Sequence, residues 1–366
     1  MSVEKLLTQN FRNLKDLNIE LDSNLNLVVG NNGSGKSSLL EALFFLGHGK
    51  SFRTNKTIDI VSYDKSPLVV SVKNDKGSQL GLKRDFVLNE TEIKVNGEKQ
   101  SKLSIFAKNM AVQIVTPESF KLFFGGPKER RRFLDLGLFH VKHSFSEEWR
   151  NFSKVLKQRN ACLKQKSSVD TLHYWTELFC NHSIVVSESR ESYVNQLKEE
   201  ISSWLDLLLP NICNELKIVY SRGWSNTKDL AQVLQQNRER EVAFGHSLYG
   251  AHKFDIKFVV NGNHIEVSLS RGQQKLFLLA LTLAQAKLIE KVNRVKPILL
   301  IDDIGAELDI NSRKLLSEAV NRLNCQVVIT AIDRNALEPL IHNNKNYKMF
   351  HVEHGEILEM SEYKKI

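Results

Sequence analysis

Residues 30–37, Gly30-Asn31-Asn32-Gly33-Ser34-Gly35-Lys36-Ser37, match the pattern G-x-x-x-x-G-K-[ST] at every fixed position. The apolar run Leu25–Val29 just before them reads as a buried strand, and residues 38–46 just after read as an amphipathic helix. Strand, glycine loop and helix in this order predict a site for the phosphates of ATP or GTP. Gly30, Gly33 and Gly35 let the backbone bend so that successive N–H groups face an anion, with the positive end of the new helix behind them. Asn31, Asn32 and Ser34 fill the variable positions with small polar side chains. Lys36 is placed to reach the outer phosphates. The Ser37 hydroxyl is placed to ligate a magnesium ion, which arrives with the nucleotide and keeps several of its waters.

The 366 residues allow two domains or one domain with a large insertion, and 42% hydrophobic content supports packed cores. Fifty-one basic residues against 42 acidic ones leave a net charge of +9, which favours an anionic partner such as nucleic acid. Cys162, Cys180, Cys213 and Cys325 form no C-x-x-C pair, so neither a zinc site nor a disulfide framework is indicated, and a reducing cytosol fits best. Residues 1–21 alternate polar and apolar positions and lack the apolar core of a secretion signal. The apolar run 276–284 is well short of the roughly 20 residues of a membrane-spanning helix, so the expectation is a soluble protein with no membrane partner.

Between residues 58 and 100 short alternating strands at 68–73, 79–86 and 92–95 are separated by Asp75-Lys76-Gly77 and Asn96-Gly97, which predicts an antiparallel meander. Residues 127–209 are nearly free of glycine and proline and rich in Leu, Lys, Glu, Gln and Arg, which predicts several helices closed by Pro210. Strand character returns at 255–269 through Asn261-Gly262. The expected organisation is an α/β mononucleotide fold split by a helical insertion: 1–120, then a helical lobe at 121–245, then 246–366. Sustained heptads are absent, so no long coiled-coil arm is predicted.

Ile298-Leu299-Leu300-Ile301-Asp302-Asp303 is an apolar strand ending in two carboxylates, with Glu307-Leu308-Asp309 just beyond. Downstream of a phosphate loop, such a strand can hold Asp302 beside the magnesium while Asp303 points toward the attacking water as a general base. Ser270-Arg271-Gly272-Gln273-Gln274-Lys275 opens a helix predicted over 275–291. Serine and glycine there also read as an ordinary cap, yet an exposed helix N-terminus is a phosphate receptor as well.

The Ser-x-Gly-Gln order upstream of the acidic pair resembles the signature motif of ABC-type ATPases. Together with TQNFRNL at 8–14, GNNGSGKSSLLEAL, TPESFKLFFGGPKERRRFLD at 116–135, LKQRN at 156–160, SRGQQK and IDDIGAELD, the chain is similar end to end to the RecF family of SMC-like ABC-type ATPases. The resemblance implies an ABC-type ATPase head, with a P-loop mixed sheet and an antiparallel β subdomain, plus an inserted helical second lobe. It implies an ATP-dependent homodimer in which the signature of one subunit completes the nucleotide site of the other. It further implies a cytoplasmic bacterial protein of recombinational repair and replication. In that role it binds double-stranded DNA and single-strand/duplex junctions at gaps, with single-stranded DNA as a further candidate ligand, and assists recombination-mediator partners in loading recombinase.

Carried over by position, the resemblance makes Asp302 the magnesium-associated acid, Asp303 the catalytic carboxylate, and Ser270, Gly272 and Gln273 the signature. Arg12 falls where related heads keep an arginine near the phosphates, Gln113 is the candidate for the glutamine loop, and Asp309 falls in the loop lining the dimer interface. The switch position, a histidine in transport ATPases, is Thr330. Asp303 stands where the wider superfamily carries glutamate, and its shorter reach suggests slow hydrolysis that acts as a timer.

Lys128, Arg130, Arg131 and Arg132 form the densest basic cluster, followed by Lys154, Lys157 and Arg159. They are candidates for DNA phosphate contacts without sequence preference, and equally for anchoring the helical lobe. Two other readings share the nucleotide motifs: a transporter subunit, for which residues 38–269 between phosphate loop and signature are too many, and a structural SMC-like tether, for which the insertion is too short.

Overall fold

Leu68–Asn74 buries every second residue and pairs antiparallel with Val3–Gln9 on one side and Gln79–Asp85 on the other. The computed structural model describes residues 2–54, 56–62, 66–292, 295–344 and 346–360. In it this sheet has the order Leu17–Glu20, Val3–Gln9, Leu68–Asn74, Gln79–Asp85, Glu90–Val95, Glu98–Gln100. The connections from Leu68–Asn74 through Gln79–Asp85 to Glu90–Val95 are the meander read from the sequence, and Glu98–Gln100 adds a short strand to it. The Asn96-Gly97 turn takes left-handed backbone at both residues (φ +52° and +86°), which suits the twist of a tight hairpin.

A second sheet follows a different pattern. Leu25–Val29, Ile298–Ile301 and Gln326–Ala331 are buried at every position, as parallel strands covered on both faces must be. Its order is Glu356–Glu359, Lys348–Glu353, Leu25–Val29, Gln326–Ala331, Ile298–Ile301, Val112–Val115, parallel throughout except for the final hairpin. The helix Lys36–His48 shares one apolar core with side chains of both sheets. It is buried from Ser38 to Gly47 and is therefore not amphipathic as read, because a helix covered on both sides has no wet face. The helix Arg271–Lys291 begins four residues before the predicted start, is likewise buried along most of its length, and packs on Val112–Val115.

The chain divides into two compact units: residues 1–120, 203–210 and 271–366 in the first, 121–202 and 211–270 in the second. The second unit thus reaches past the boundary read at 245. The reason is pairing: Asp255–Val260 runs antiparallel to Leu216–Ser221 over six consecutive residues, which keeps the segment up to 270 with the helical part. The strand read at 255–269 ends early, with a two-residue bridge at Asn263–His264 and a helical turn Ile265–Ser268. The longest helices of this region are Pro127–Val141, Phe145–Gln165 and Val169–Leu208. The last has 40 residues, about 60 Å at 1.5 Å per residue. Among the described residues no helix is long and apolar enough to cross a membrane.

Candidate functional site

Three neighbouring strands of the parallel sheet bring the phosphate loop and the acids to one edge. Leu25–Val29 runs into Gly30, Ile298–Ile301 runs into Asp302, and Gln326–Ala331 lies between them, with Thr330 opposite Val28 and Ile329 opposite Ile301. All three end at the same carboxyl edge, where parallel α/β sheets bind ligands. The Ser37 hydroxyl donates to Asp302 Oδ1 at 3.0 Å, spanning the intervening strand. Thr330 Oγ1 donates to the same oxygen at 2.8 Å and accepts the Asp303 N–H at 2.8 Å. Asp303 itself holds left-handed backbone, φ +52°.

The loop is folded tightly over its own lysine. Lys36 Nζ donates to the carbonyls of Gly30 at 2.6 Å and Asn31 at 2.9 Å, and the side chain is only 6% exposed. Burial lowers its pKa, and the carboxylates of Asp303 and then Asp302 partly oppose that shift. A Cβ on Gly30 would lie 2.3 Å from the Val352 carbonyl oxygen, so only glycine fits. Asn31, Asn32 and Gly33 are exposed, whereas the Ser34 hydroxyl is buried with no hydrogen-bond partner among the described residues.

Two supports of the loop were not picked out in the sequence. Asn13 donates through Nδ2 to the Gly33 carbonyl at 3.0 Å and accepts the Ser38 hydroxyl at 2.8 Å, and the Gly355 N–H donates to the Ser34 carbonyl at 2.8 Å. An asparagine in a turn and a glycine in a hairpin carry no signal of this, since their partners lie far along the chain.

The structure distributes the remaining candidates differently. Arg12 grips Glu41 in a two-pronged pair, Nε to Oε2 at 2.9 Å and Nη2 to Oε1 at 2.7 Å, and donates to the Asp59 carbonyl. Glu41 is fully buried on the phosphate-loop helix, and an unpaired carboxylate there would be costly, so Arg12 is committed to it. Gln113 sits within the strand Val112–Val115 and not in a loop. Its neighbours Val112 and Ile114 face the core around the phosphate-loop helix, so alternation turns Gln113 to the opposite face, where its buried Nε2 has no partner among the described residues. Asp309 caps the helix Ile310–Asn321 by accepting the Ser312 N–H at 2.7 Å, and that bond holds its pKa below the usual carboxylate value. The side chain of Glu307 lies outside the described residues. At the signature, Ser270 and Gly272 are exposed, Gln273 is half-buried, and a Cβ on Gly272 would meet open space.

In the second unit the basic cluster splits. Arg130 donates from Nε and Nη2 to the two oxygens of Asp255, both at 2.8 Å, and that bonding raises its pKa; Arg131 donates to the Phe254 carbonyl at 3.1 Å. These two tie Pro127–Val141 to the strand Asp255–Val260. Lys128 and Arg132 are exposed, Arg132 with only a 4.0 Å approach to Glu129. Lys154 and Lys157 are exposed as well, but Arg159 is not a surface cation: it is buried against Glu241 at 2.6 Å, Ser247 at 2.6 Å and Thr176 at 3.1 Å, over the ring of Phe179.

Among the described residues there is no group of three or more His, Cys, Asp or Glu that could hold a metal ion by itself. The donors that do converge, Ser37 Oγ and Asp302 Oδ1, are hard oxygens of the kind magnesium takes in small number when phosphates and waters complete its shell. The four cysteines are free, and burial pushes the Cys180 thiol up to about 11 and Cys325 up to about 12, so neither is reactive.

The family profile described as RecF/RecN/SMC N terminal domain matches residues 2–358. A protein of Colwellia psychrerythraea named DNA replication and repair protein RecF is 57% identical over 376 residues, which cover 100% of both chains. A solved structure of the recombination mediator protein RecF with ATP, in the RecFOR pathway, aligns with a TM-score of 0.84 at 26% identity over 98% of each chain. An Smc head bound to the C-winged helix domain of ScpA shares the fold, with a TM-score of 0.57 at 16% identity over 100% of this chain and 99% of that one. A profile that runs over nearly the whole length, together with a relative that shares more than half its residues from end to end, places this chain in the RecF family of DNA replication and repair proteins.

Proposed function

We propose that the chain is an ATP-gated DNA clamp of bacterial recombinational repair and replication restart, acting in the cytoplasm. The observation that carries the nucleotide chemistry is the Ser37–Asp302 bond at 3.0 Å across the carboxyl edge of the sheet, with Lys36 folded into the same loop. Lys36 and the loop N–H groups bind the phosphates, the buried and unpartnered Ser34 hydroxyl is a further donor, and Ser37 and Asp302 hold a magnesium ion. Magnesium supplies charge neutralisation on the transferred phosphoryl group. Asp303 orients and deprotonates the attacking water, and Arg12 supports the site through Glu41. Gln113, facing away from the phosphate-loop helix, is given no part.

Ser270, Gly272 and Gln273 serve the nucleotide of a second copy, in keeping with the open space around Gly272, and Asp309 shapes the loop between copies. The relative solved with ATP is titled a recombination mediator of the RecFOR pathway, which supports mediator proteins as partners. Lys128 and Arg132, with Lys154 and Lys157, contact phosphates of duplex DNA and gap junctions, and single strands are a secondary ligand. The transporter reading has no support in relatives that carry replication and repair names.

The test is anisotropy of a labelled gapped duplex at fixed salt, with and without ATP and magnesium. A clear ATP-dependent gain in affinity supports the clamp, and Asp303→Asn is expected to hold an ATP-bound dimer while Lys36→Arg hydrolyses poorly. Equal weak binding in both conditions, or a monomeric Asp303→Asn protein with ATP present, sinks the proposal.

A further inference from the structure

Thr330 is wholly buried, and both capacities of its hydroxyl are used: the proton goes to Asp302 Oδ1 at 2.8 Å and the oxygen receives the Asp303 N–H at 2.8 Å. A hydroxyl has a single proton, so one committed to Asp302 has none to offer a phosphate oxygen. Thr330 therefore does something other than what a histidine at this position could do. It belongs to the strand that separates the phosphate loop from the acid strand, and it is bonded to both acids at once.

The bond to Asp303 bears on a residue in an uncommon conformation. Asp303 has φ +52°, a left-handed region that is uncommon for any residue but glycine, although aspartate enters it more readily than most. With its N–H fixed, the direction of the Asp303 carboxylate is set by the backbone turn. The bond to Asp302 matters for a different reason. Asp302 Oδ1 accepts from both Ser37 and Thr330, and the Ser37 oxygen is the one a cation would draw away. Thr330 is then the bond that keeps Asp302 aimed.

We propose that Thr330 is a positioning residue for nucleotide hydrolysis, whose hydroxyl both aims Asp302 at the cation and pins Asp303 in the left-handed turn that directs its carboxylate. The proposal rests on the nucleotide reading above. Thr330→Val keeps the shape and removes the hydroxyl, whereas Thr330→Ser restores it. Three quantities separate positioning from plain structure: binding of a fluorescent ATP analogue in EDTA, the magnesium concentration that half-saturates binding and single-turnover hydrolysis, and hydrogen exchange of the Asp303 amide.

For Thr330→Val the expected result is unchanged binding in EDTA, a half-saturating magnesium concentration raised about 10- to 100-fold, and loss of Asp303 amide protection. Thr330→Ser is expected to behave as the wild type. Wild-type magnesium dependence in Thr330→Val, or a serine variant as impaired as the valine one, overturns the proposal. Should the valine variant not fold, amide exchange in the wild type and the serine variant decides: an Asp303 amide that exchanges like an unbonded loop amide also overturns it. If the wild type binds no nucleotide, the nucleotide reading itself falls, and with it any role for Thr330 in hydrolysis.

Discussion

Gly355→Ala and Gly77→Ala form a matched pair that measures how far the terminal hairpin supports the phosphate loop. Both glycines hold left-handed backbone, φ +80° and +79°, so an added methyl costs each the same conformational penalty of about 1–2 kcal/mol. Nothing lies within 4 Å of a Cβ placed on Gly77. On Gly355 that atom would fall 2.0 Å from the Asn13 carbonyl oxygen and 3.2 Å from Leu14 Cα. Both neighbours are backbone, so no rotamer change makes room, and the hairpin must move. The bonds at stake are Gly355 N–H to the Ser34 carbonyl at 2.8 Å and Lys15 N–H to the Gly355 carbonyl at 3.0 Å. At about 1 kcal/mol each, their loss brings Gly355→Ala to roughly 3–4 kcal/mol, two to three times the cost at Gly77. Thermal unfolding of the full chain should drop by roughly 2–4 °C for Gly77→Ala and by correspondingly more for Gly355→Ala. Because Ser34 is part of the phosphate loop, Gly355→Ala should also weaken nucleotide binding about fivefold, the equivalent of one such bond. Equal melting losses for the two variants, with unchanged nucleotide affinity, would refute the idea that the hairpin holds the loop.

Further expectations concern the second unit. Burial lowers His140 and His252 to about 4, so both stay neutral in the folded chain while their unfolded counterparts gain protons below about 6.5. Their contribution is complete above pH 6.5 and declines as pH falls toward 4, by up to about 3 kcal/mol each; a urea midpoint for this unit that does not fall between pH 7 and pH 5 would contradict it. Glu241→Gln leaves the Arg159 charge buried without its partner, and urea unfolding should register a loss of about 3–5 kcal/mol with DNA affinity unchanged at temperatures where the variant is folded. Lys128→Ala and Arg132→Ala should weaken DNA binding and lower the salt slope by about 1 each without changing stability. Arg130→Ala should instead destabilise by about 2 kcal/mol, because it strips Asp255 of both its 2.8 Å bonds; a stable Arg130→Ala protein with weakened DNA binding would reverse that assignment.

The proposed nucleotide site was legible in the sequence to the extent that its parts sit on contiguous backbone. In the proposed role the loop would act through successive N–H groups of residues 30–37, and the acid pair follows directly on the apolar strand that carries it, so spacing alone points to both as candidates. The antiparallel meander was equally readable, because hairpin pairing is set by short local turns, here of two to four residues. The boundary of the second unit was not, since the pairing of Leu216–Ser221 with Asp255–Val260 is made across a long intervening segment.

What the amino-acid order determined by itself is therefore the placement of the candidate loop, acids and signature segment, along with the alternation of sheet and helix that frames them. Only the tertiary structure decided which charges are available. Arg12, Arg130, Arg131 and Arg159 look alike in the sequence as cations in or near functional motifs. Yet Glu41, Asp255, the Phe254 carbonyl and Glu241 bind them from positions 29 to 125 residues away. Thr330 acquires its two acidic neighbours only because its strand inserts between the loop and the acid strand. The physical reason is common to all of these: a side chain's charge or hydroxyl is a local property, but the partner that satisfies it is chosen by packing, and packing joins residues that the chain keeps apart.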